Sequence, residues 1–250
     1  MTALLPALSR LAHEGKLKEV GEDVAGAMRL VAALVVPIAA LLFVLGSDVS
    51  VLLFGYGAAT TDQAAVMGDV VSIFMIGLVP FTLFYVLLRG FYAMEDTRTP
   101  FVVTVIFSVI MLALVLWLFV FLTDLGVTSA GGPQIAGIAL GYVLAYWCGF
   151  VVLWWWLAHR LGSLQSGATV SVLLRLLTAG GVAVLVADVT RTATLDLLIS
   201  DGLNTQLTSL VLIMAAVIVG VPTFFFAAWL LRVREVSAAF AIVKSRVARR

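Results

Sequence analysis

Six long apolar stretches leave this chain few folds to choose from. They cover 29–46, 67–90, 101–122, 135–158, 170–189 and 206–231, and each is close to or above the roughly 20 apolar residues a helix needs to cross a hydrocarbon layer. The rest of the composition agrees, with 63% of the 250 residues apolar and 12% charged, against about half and a quarter in a water-soluble domain. Too little polar surface remains to coat a soluble particle. Backbone groups in hydrocarbon must be satisfied within the segment, so the stretches are expected as helices, and their lengths exclude a barrel. The expected fold is all-α, a polytopic helical membrane bundle with six transmembrane helices. The fifth stretch is the weakest, because Arg175 interrupts it. It spans only if Arg175 lies near one end and extends its guanidinium to the interface.

Local chemistry supports these divisions. Thr99 followed by Pro100 reads as an N-cap with proline at the first helical position of the third span. Thr60 and Gln63 have capping-box spacing ahead of the second, and Gly55 and Gly57 can supply turn conformations before it. The sorting of charge is sharper still. Six spans define two alternating faces, and fourteen of the fifteen Lys and Arg residues fall on one of them, leaving Arg191 alone on the other. That other face carries Asp48, Asp62, Asp124, Asp188, Asp196 and Asp201. The positive-inside rule then makes the cation-rich face cytoplasmic and puts both termini there, in a multi-pass protein of the cytoplasmic membrane. Trp154, Trp155 and Trp156 precede His159 and Arg160 where the fourth span should leave the bilayer, as interfacial anchors do.

Three regions follow from this pattern. Residues 1–28 are expected as the end of a preceding helix followed by a basic cytoplasmic loop. Residues 29–231 form the bundle, and 232–250 a basic amphipathic cytoplasmic tail. The opening MTALLPALSRL is apolar but too short to span, and it lacks the cationic start and small-residue cleavage site of a signal peptide. Composition alone fits both the end of a helix that begins upstream and a short amphipathic helix on the membrane surface. In the tail, Val236, Phe240, Val243 and Val247 recur at helical spacing among cations, which suits anionic headgroups or a docking partner.

Several function classes fall away. A single Cys148 excludes a disulfide framework, and His13 and His159 have no metal-ligand spacing. No nucleophile elbow, Walker loop or zinc-protease motif is present, so neither an enzyme, a cofactor nor a metal is expected, and nothing points to nucleic acid. Gly131, Gly132 and Pro133 read as a turn outside the membrane, while Gly137 and Gly141 permit close helix packing.

The most informative stretch is 89–100, RGFYAMEDTRTP. On residues alone it is a cation-rich junction between two helices, with Asp96 capping and Arg98 anchoring. FYAMEDTRTP also resembles the FYA-x-x-D-T-x-T-P segment of the MurJ/MviN family, the lipid II flippases of peptidoglycan synthesis. LLPALSR at 4–10 resembles the L-P-x-L-S-[RK] that closes that family's eighth transmembrane helix. LLFGYGAAT at 52–60 resembles its L-x-x-L-L-F-x-x-G-x-F-T turn, with Ala59 where phenylalanine is usual. The three occur in the family's order and spacing; the last two-thirds of the chain matches only in hydropathy.

The resemblance implies the C-terminal half of a fourteen-helix protein of the MOP exporter superfamily, whose two lobes rock about a central cavity. It implies transport of a polyprenyl-linked peptidoglycan precursor by alternating access, with membrane lipids, a missing N-terminal lobe and cell-wall synthesis proteins as partners. One lobe cannot enclose a cavity between two, so a partner or an upstream segment is expected. Headgroup-binding arginines of the family lie mostly in helices upstream of Met1. Candidate cavity or gate charges within the chain are Arg89, Glu95, Asp96 and Arg98. Gly180, Gly181, Gly220 and Pro222 are candidates for a groove that takes the lipid tail. Some members hold sodium with Asn and Asp in the helix equivalent to 101–122, where this chain offers only Thr104 and Ser108; coupling of that kind is not expected. The membrane potential, worth about 2.3 kcal/mol per elementary charge per 100 mV, is an alternative drive. Two other readings remain open here: a related exporter of drugs or polyprenyl-linked oligosaccharides, and a non-transporting scaffold that recruits partners through its tail.

Overall fold

The computed structural model describes residues 4–56, 60–124, 133–162, 164–198, 204–233 and 235–236. Seven helices account for nearly all of them: α1 (Leu4–His13), α2 (Leu17–Phe54), α3 (Thr61–Ala93), α4 (Arg98–Asp124), α5 (Pro133–Leu161), α6 (Ser166–Leu198) and α7 (Thr205–Leu230). All but α1 are long and apolar enough to cross a membrane. The described residues contain no strand.

All the spanning helices except α7 are longer than their apolar stretches, because hydropathy marks the part in hydrocarbon and not where the hydrogen-bond ladder stops. The difference is largest at α2, whose 38 residues begin at Leu17. Residues 17–28 were expected in a basic loop, and they are helical instead. The reason is periodic: Val20, Val24, Ala25 and Met28 recur at three- and four-residue spacing and are almost completely buried, so Lys18, Glu19, Glu22 and Asp23 ride the exposed side of an amphipathic segment. The fifth stretch does cross as α6, with Arg175 in its third turn. Arg175 Nη1 donates to the Leu231 carbonyl at 3.2 Å, which gives the cation a partner at the end of α7.

The capping box at α3 forms as expected: the Gln63 N–H donates to Thr60 Oγ1 at 3.3 Å and the Thr60 N–H to Gln63 Oε1 at 3.2 Å. At the start of α4 the Asp96 cap of the junction forms and the Thr99 N-cap does not. The helix begins at Arg98, and the Thr99 N–H donates to Asp96 Oδ1 at 3.0 Å. Asp96 therefore does the capping and Thr99 lies inside the first turn, where Pro100 is tolerated because its missing N–H has no partner to lose. Gly57, Ala59, Gly131, Gly132 and nearly all of the tail lie outside the described residues. Gly55 adopts φ −77°, so its value is space rather than handedness: a Cβ there would sit 2.5 Å from the Val51 carbonyl oxygen.

α2 is the organising element, packing on α3, α6 and α7, while α5 packs on α3 and α4. The main core lies where α2, α3 and α5 meet, around Met28, Leu83, Phe84, Leu87, Phe91 and Leu153. A smaller cluster of Leu45, Ala187 and Ala216 joins α2 to α6 and α7. Glycines set the closest crossings. A Cβ at Gly68 would fall 2.2 Å from Ser47 Cα, and one at Gly141 would fall 2.7 Å from Val115 Cα, so α2 meets α3, and α4 meets α5, backbone to backbone. α4 is peripheral, burying only Pro100, Val103, Phe107 and Leu118. Its exposed apolar side is what a helix turned to lipid requires.

Candidate functional site

The ends of α2, α3, α5 and α7 that carry the cations come together as one polar layer. Within it the 89–100 junction is held by a side chain that sequence reasoning left among the general cations, Arg160 at the end of α5. Arg160 Nη1 pairs with Asp96 Oδ2 and reaches Thr99 Oγ1 at 3.3 Å. Asp96 Oδ2 also accepts from the Thr99 hydroxyl at 2.7 Å. This crowd of donors holds the Asp96 carboxyl down to about 2, chiefly through the Thr99 hydroxyl and N–H, with Arg160 adding to them and partial burial opposing. The Arg160 guanidinium lies 6.0 Å from the centre of the Phe91 ring, within cation–π range.

The other candidates of the junction are placed differently. Glu95 is exposed, with a left-handed φ of 58°, and faces His13 of α1 at 3.6 Å. Arg98 points to solvent and Arg89 is half-buried at the last turns of α3. So Asp96 is brought to Arg160, and Glu95 to His13. Nearby, Arg29 of α2 donates to Gln165 Oε1 at 3.1 Å and lies 3.6 Å from Glu235, tying α2 to the α5–α6 connection and to the chain after α7. The signal for Arg160 and Arg29 was only their side of the membrane; their partners are 64 and 136 residues distant in sequence.

The groove candidates divide. Gly180 and Gly181 line an apolar lateral cleft of about 310 Å³, floored by Val36 and Ala40 of α2 and walled opposite by Met75 and Val79 of α3 and Trp147 of α5. This cleft therefore runs between α6 and the α3/α5 side. Gly181 has open space where a Cβ would be, whereas Gly180 lies against Val36. Gly220 packs on Leu41 and Ala187, and Pro222 is exposed on α7.

At the opposite ends of the helices Ser47 Oγ donates to the Ala65 carbonyl at 3.2 Å and Gln206 Nε2 to the Gly55 carbonyl at 3.0 Å, and a charged pair joins α6 to α2. Arg191, the single cation expected there, forms a bidentate pair with Asp48 of α2; its Nη2 donates to Oδ1 at 3.1 Å and its Nε pairs with Oδ2. The Asp48 side chain is 8% exposed and that of Arg191 23%. Among the described residues no three His, Cys, Asp or Glu side chains converge as metal ligands. In α4 the Ser108 hydroxyl donates to the Thr104 carbonyl at 2.8 Å, so it is already engaged with the helix itself.

Long apolar helices, backbone-close crossings and polar layers confined to the helix ends define a multi-pass helical membrane protein. A family model described as lipid II flippase MurJ matches residues 1–200, and the chain belongs to that family. Among curated relatives, a probable lipid II flippase MurJ of Buchnera aphidicola subsp. Baizongia pistaciae is 31% identical over 153 residues, 61% of this chain and 28% of that protein. One from Rhizobium tropici is 33% identical over 171 residues, 67% of this chain and 32% of that protein. The aligned part is thus about three tenths of the length of these relatives. A solved structure, a lipid II flippase MurJ in an inward closed conformation, matches with a TM-score of 0.60 at 17% identity, covering 89% of this chain and 41% of that one. At that identity the likeness is one of fold.

Proposed function

We propose that this chain supplies the C-terminal helical lobe of a transporter that moves lipid II, the polyprenyl-linked peptidoglycan precursor, across the cytoplasmic membrane by alternating access. The observation that carries the proposal is the family match over residues 1–200. Charge sorting supports an orientation with the polar layer of Arg29, Arg89, Arg98 and Arg160 in the cytoplasm and both termini beside it. In this reading residues 29–231 remain the membrane bundle, α2 starts earlier at Leu17, and 232–250 is a cytoplasmic tail for anionic lipid or cell-wall synthesis proteins. Arg89 and Arg98 serve as cationic gate groups at the cytoplasmic mouth, and the Asp96–Arg160 pair fixes the junction that bears them. The cleft beside Gly180 and Gly181 takes part of the long lipid tail, as its apolar walls and lateral opening suit a hydrocarbon chain. The chain acts as a transporter and not as a catalyst, and a second lobe completes the cavity.

The test uses a bacterium depleted of its own lipid II flippase, expressing the chain alone or with the N-terminal half of a full-length relative. Lipid II on the outer leaflet is read with an externally added, membrane-impermeant enzyme that cleaves it. Cleavage is expected when both halves are present. Absence of cleavage with both halves inserted would overturn the proposal.

A further inference from the structure

We propose that Asp48 and Arg191 form a releasable latch that holds the α6–α7 pair against α2 and sets the width of the lateral cleft. The inference concerns the bundle and stands whichever lipid is carried. The pair joins α6, one wall of the cleft, to α2, its floor, and it lies beyond the end of the cleft formed by Phe43 and Val184, toward the acidic ends. Between cleft and latch these helices meet through the buried side chains of Leu45, Ala187 and Ala216, and beside the latch Gln206 Nε2 of α7 donates to the Gly55 carbonyl at 3.0 Å. At the depth of the cleft both backbones have means to bend. Pro37 lies inside α2 and removes a ladder hydrogen bond, while Gly180 and Gly181 adjoin in α6, the latter with nothing near its missing Cβ.

Two further features separate a latch from a fixed staple. Arg191 keeps 23% of its side chain exposed, so water reaches the guanidinium without unfolding. Asp188 stands three residues before Arg191 on α6 and is exposed, a spacing at which helical side chains are neighbours, so a second carboxylate is within reach on the same helix. The element therefore has two arrangements: Arg191 on Asp48 with α6 held to α2, or Arg191 on Asp188 with the acidic half of α6 free to swing about Gly180–Gly181. A ligand that favours the wider cleft would shift the balance toward the second.

The experiment is spin-label distance measurement on the full chain in lipid nanodiscs, with Cys148 replaced by Ser. One label pair, Met67→Cys with Val189→Cys, reports the acidic ends; another, Leu17→Cys with Val170→Cys, reports the cationic ends. All four positions are exposed. Asp48→Asn or Arg191→Gln is expected to lengthen and broaden the acidic-end distribution while leaving the cationic-end distribution unchanged. The exchange Asp48→Arg with Arg191→Asp is expected to restore the parent distribution, and Asp48→Glu, which keeps the charge on a longer arm, to give an intermediate one that can be read even where the neutral variants fold poorly. Superposition of the Asn, Gln and Glu variants on the parent would sink the latch. Equal broadening at both ends, or no restoration by the exchanged pair, would show a purely structural contact and overturn it too.

Discussion

At the residue scale, two carboxylates of similar chemistry do different work because their surroundings differ. Asp96 sits at a helix start near water, where a lost cap costs about 1 kcal/mol and an exposed ion pair adds little. Asp96→Ala should therefore lower the melting temperature modestly in detergent, and Asp96→Asn less, because its amide oxygen still accepts from Thr99. The pH dependence has a definite sign. The folded carboxyl titrates at about 2, below the ordinary 3.8, so its contribution is fully present above about pH 4 and is lost as pH falls through 2. Melting curves of the parent and Asp96→Asn should converge over that interval and stay apart above it. Asp48 is buried and bidentate, and removing one partner of such a pair leaves an uncompensated charge at a cost of about 3–5 kcal/mol. Denaturant titration should thus find Arg191→Gln far more destabilising than any single change at Asp96. Nothing in the spacing of residues 48 and 191 announces their pairing; the only trace is that Arg191 is the lone cation among acids.

At the scale of elements, glycine is informative only where something lies close to it. Gly68 meets the α2 backbone, and Gly181 meets nothing within 4 Å. Gly68→Leu must force α2 and α3 apart, with an overpacking cost of about 1–3 kcal/mol or more. Gly181→Ala should be neutral or stabilising by about 0.5–1 kcal/mol, since alanine is the better helix former. Thermal unfolding of the two variants side by side checks both. Helix existence was plain from apolar length, yet the ends were not, because Leu17 to Met28 lies in charged sequence whose one apolar side, Val20, Val24, Ala25 and Met28, is buried only in the tertiary structure. The groove candidates could not be told apart in the sequence either, since a run of small residues reads alike whether it leaves space or admits a neighbour. At Gly220 the neighbour is there; at Gly181 it is not.

For the whole molecule, the orientation proposed from charge has a direct check. In a Cys148→Ser background, Asp62→Cys should react with an impermeant thiol reagent added outside intact cells, and Arg98→Cys only after permeabilisation; the reverse pattern would invert the topology. The all-helical membrane fold was determined by the sequence itself, because hydrocarbon admits only long apolar segments whose backbones satisfy themselves, and both requirements are written in consecutive residues. Two capping devices, at Thr60–Gln63 and Asp96, were legible for the same reason, being local. The tertiary structure alone decided that α2 is the element on which α3, α6 and α7 pack, that Arg160 holds the 89–100 junction, that Arg191 closes on Asp48, and that the cleft opens beside α3 and α5. Those outcomes depend on which helix lies next to which, and in lipid that choice is made by shape and polar pairing between distant segments rather than by the hydrophobicity each segment carries alone.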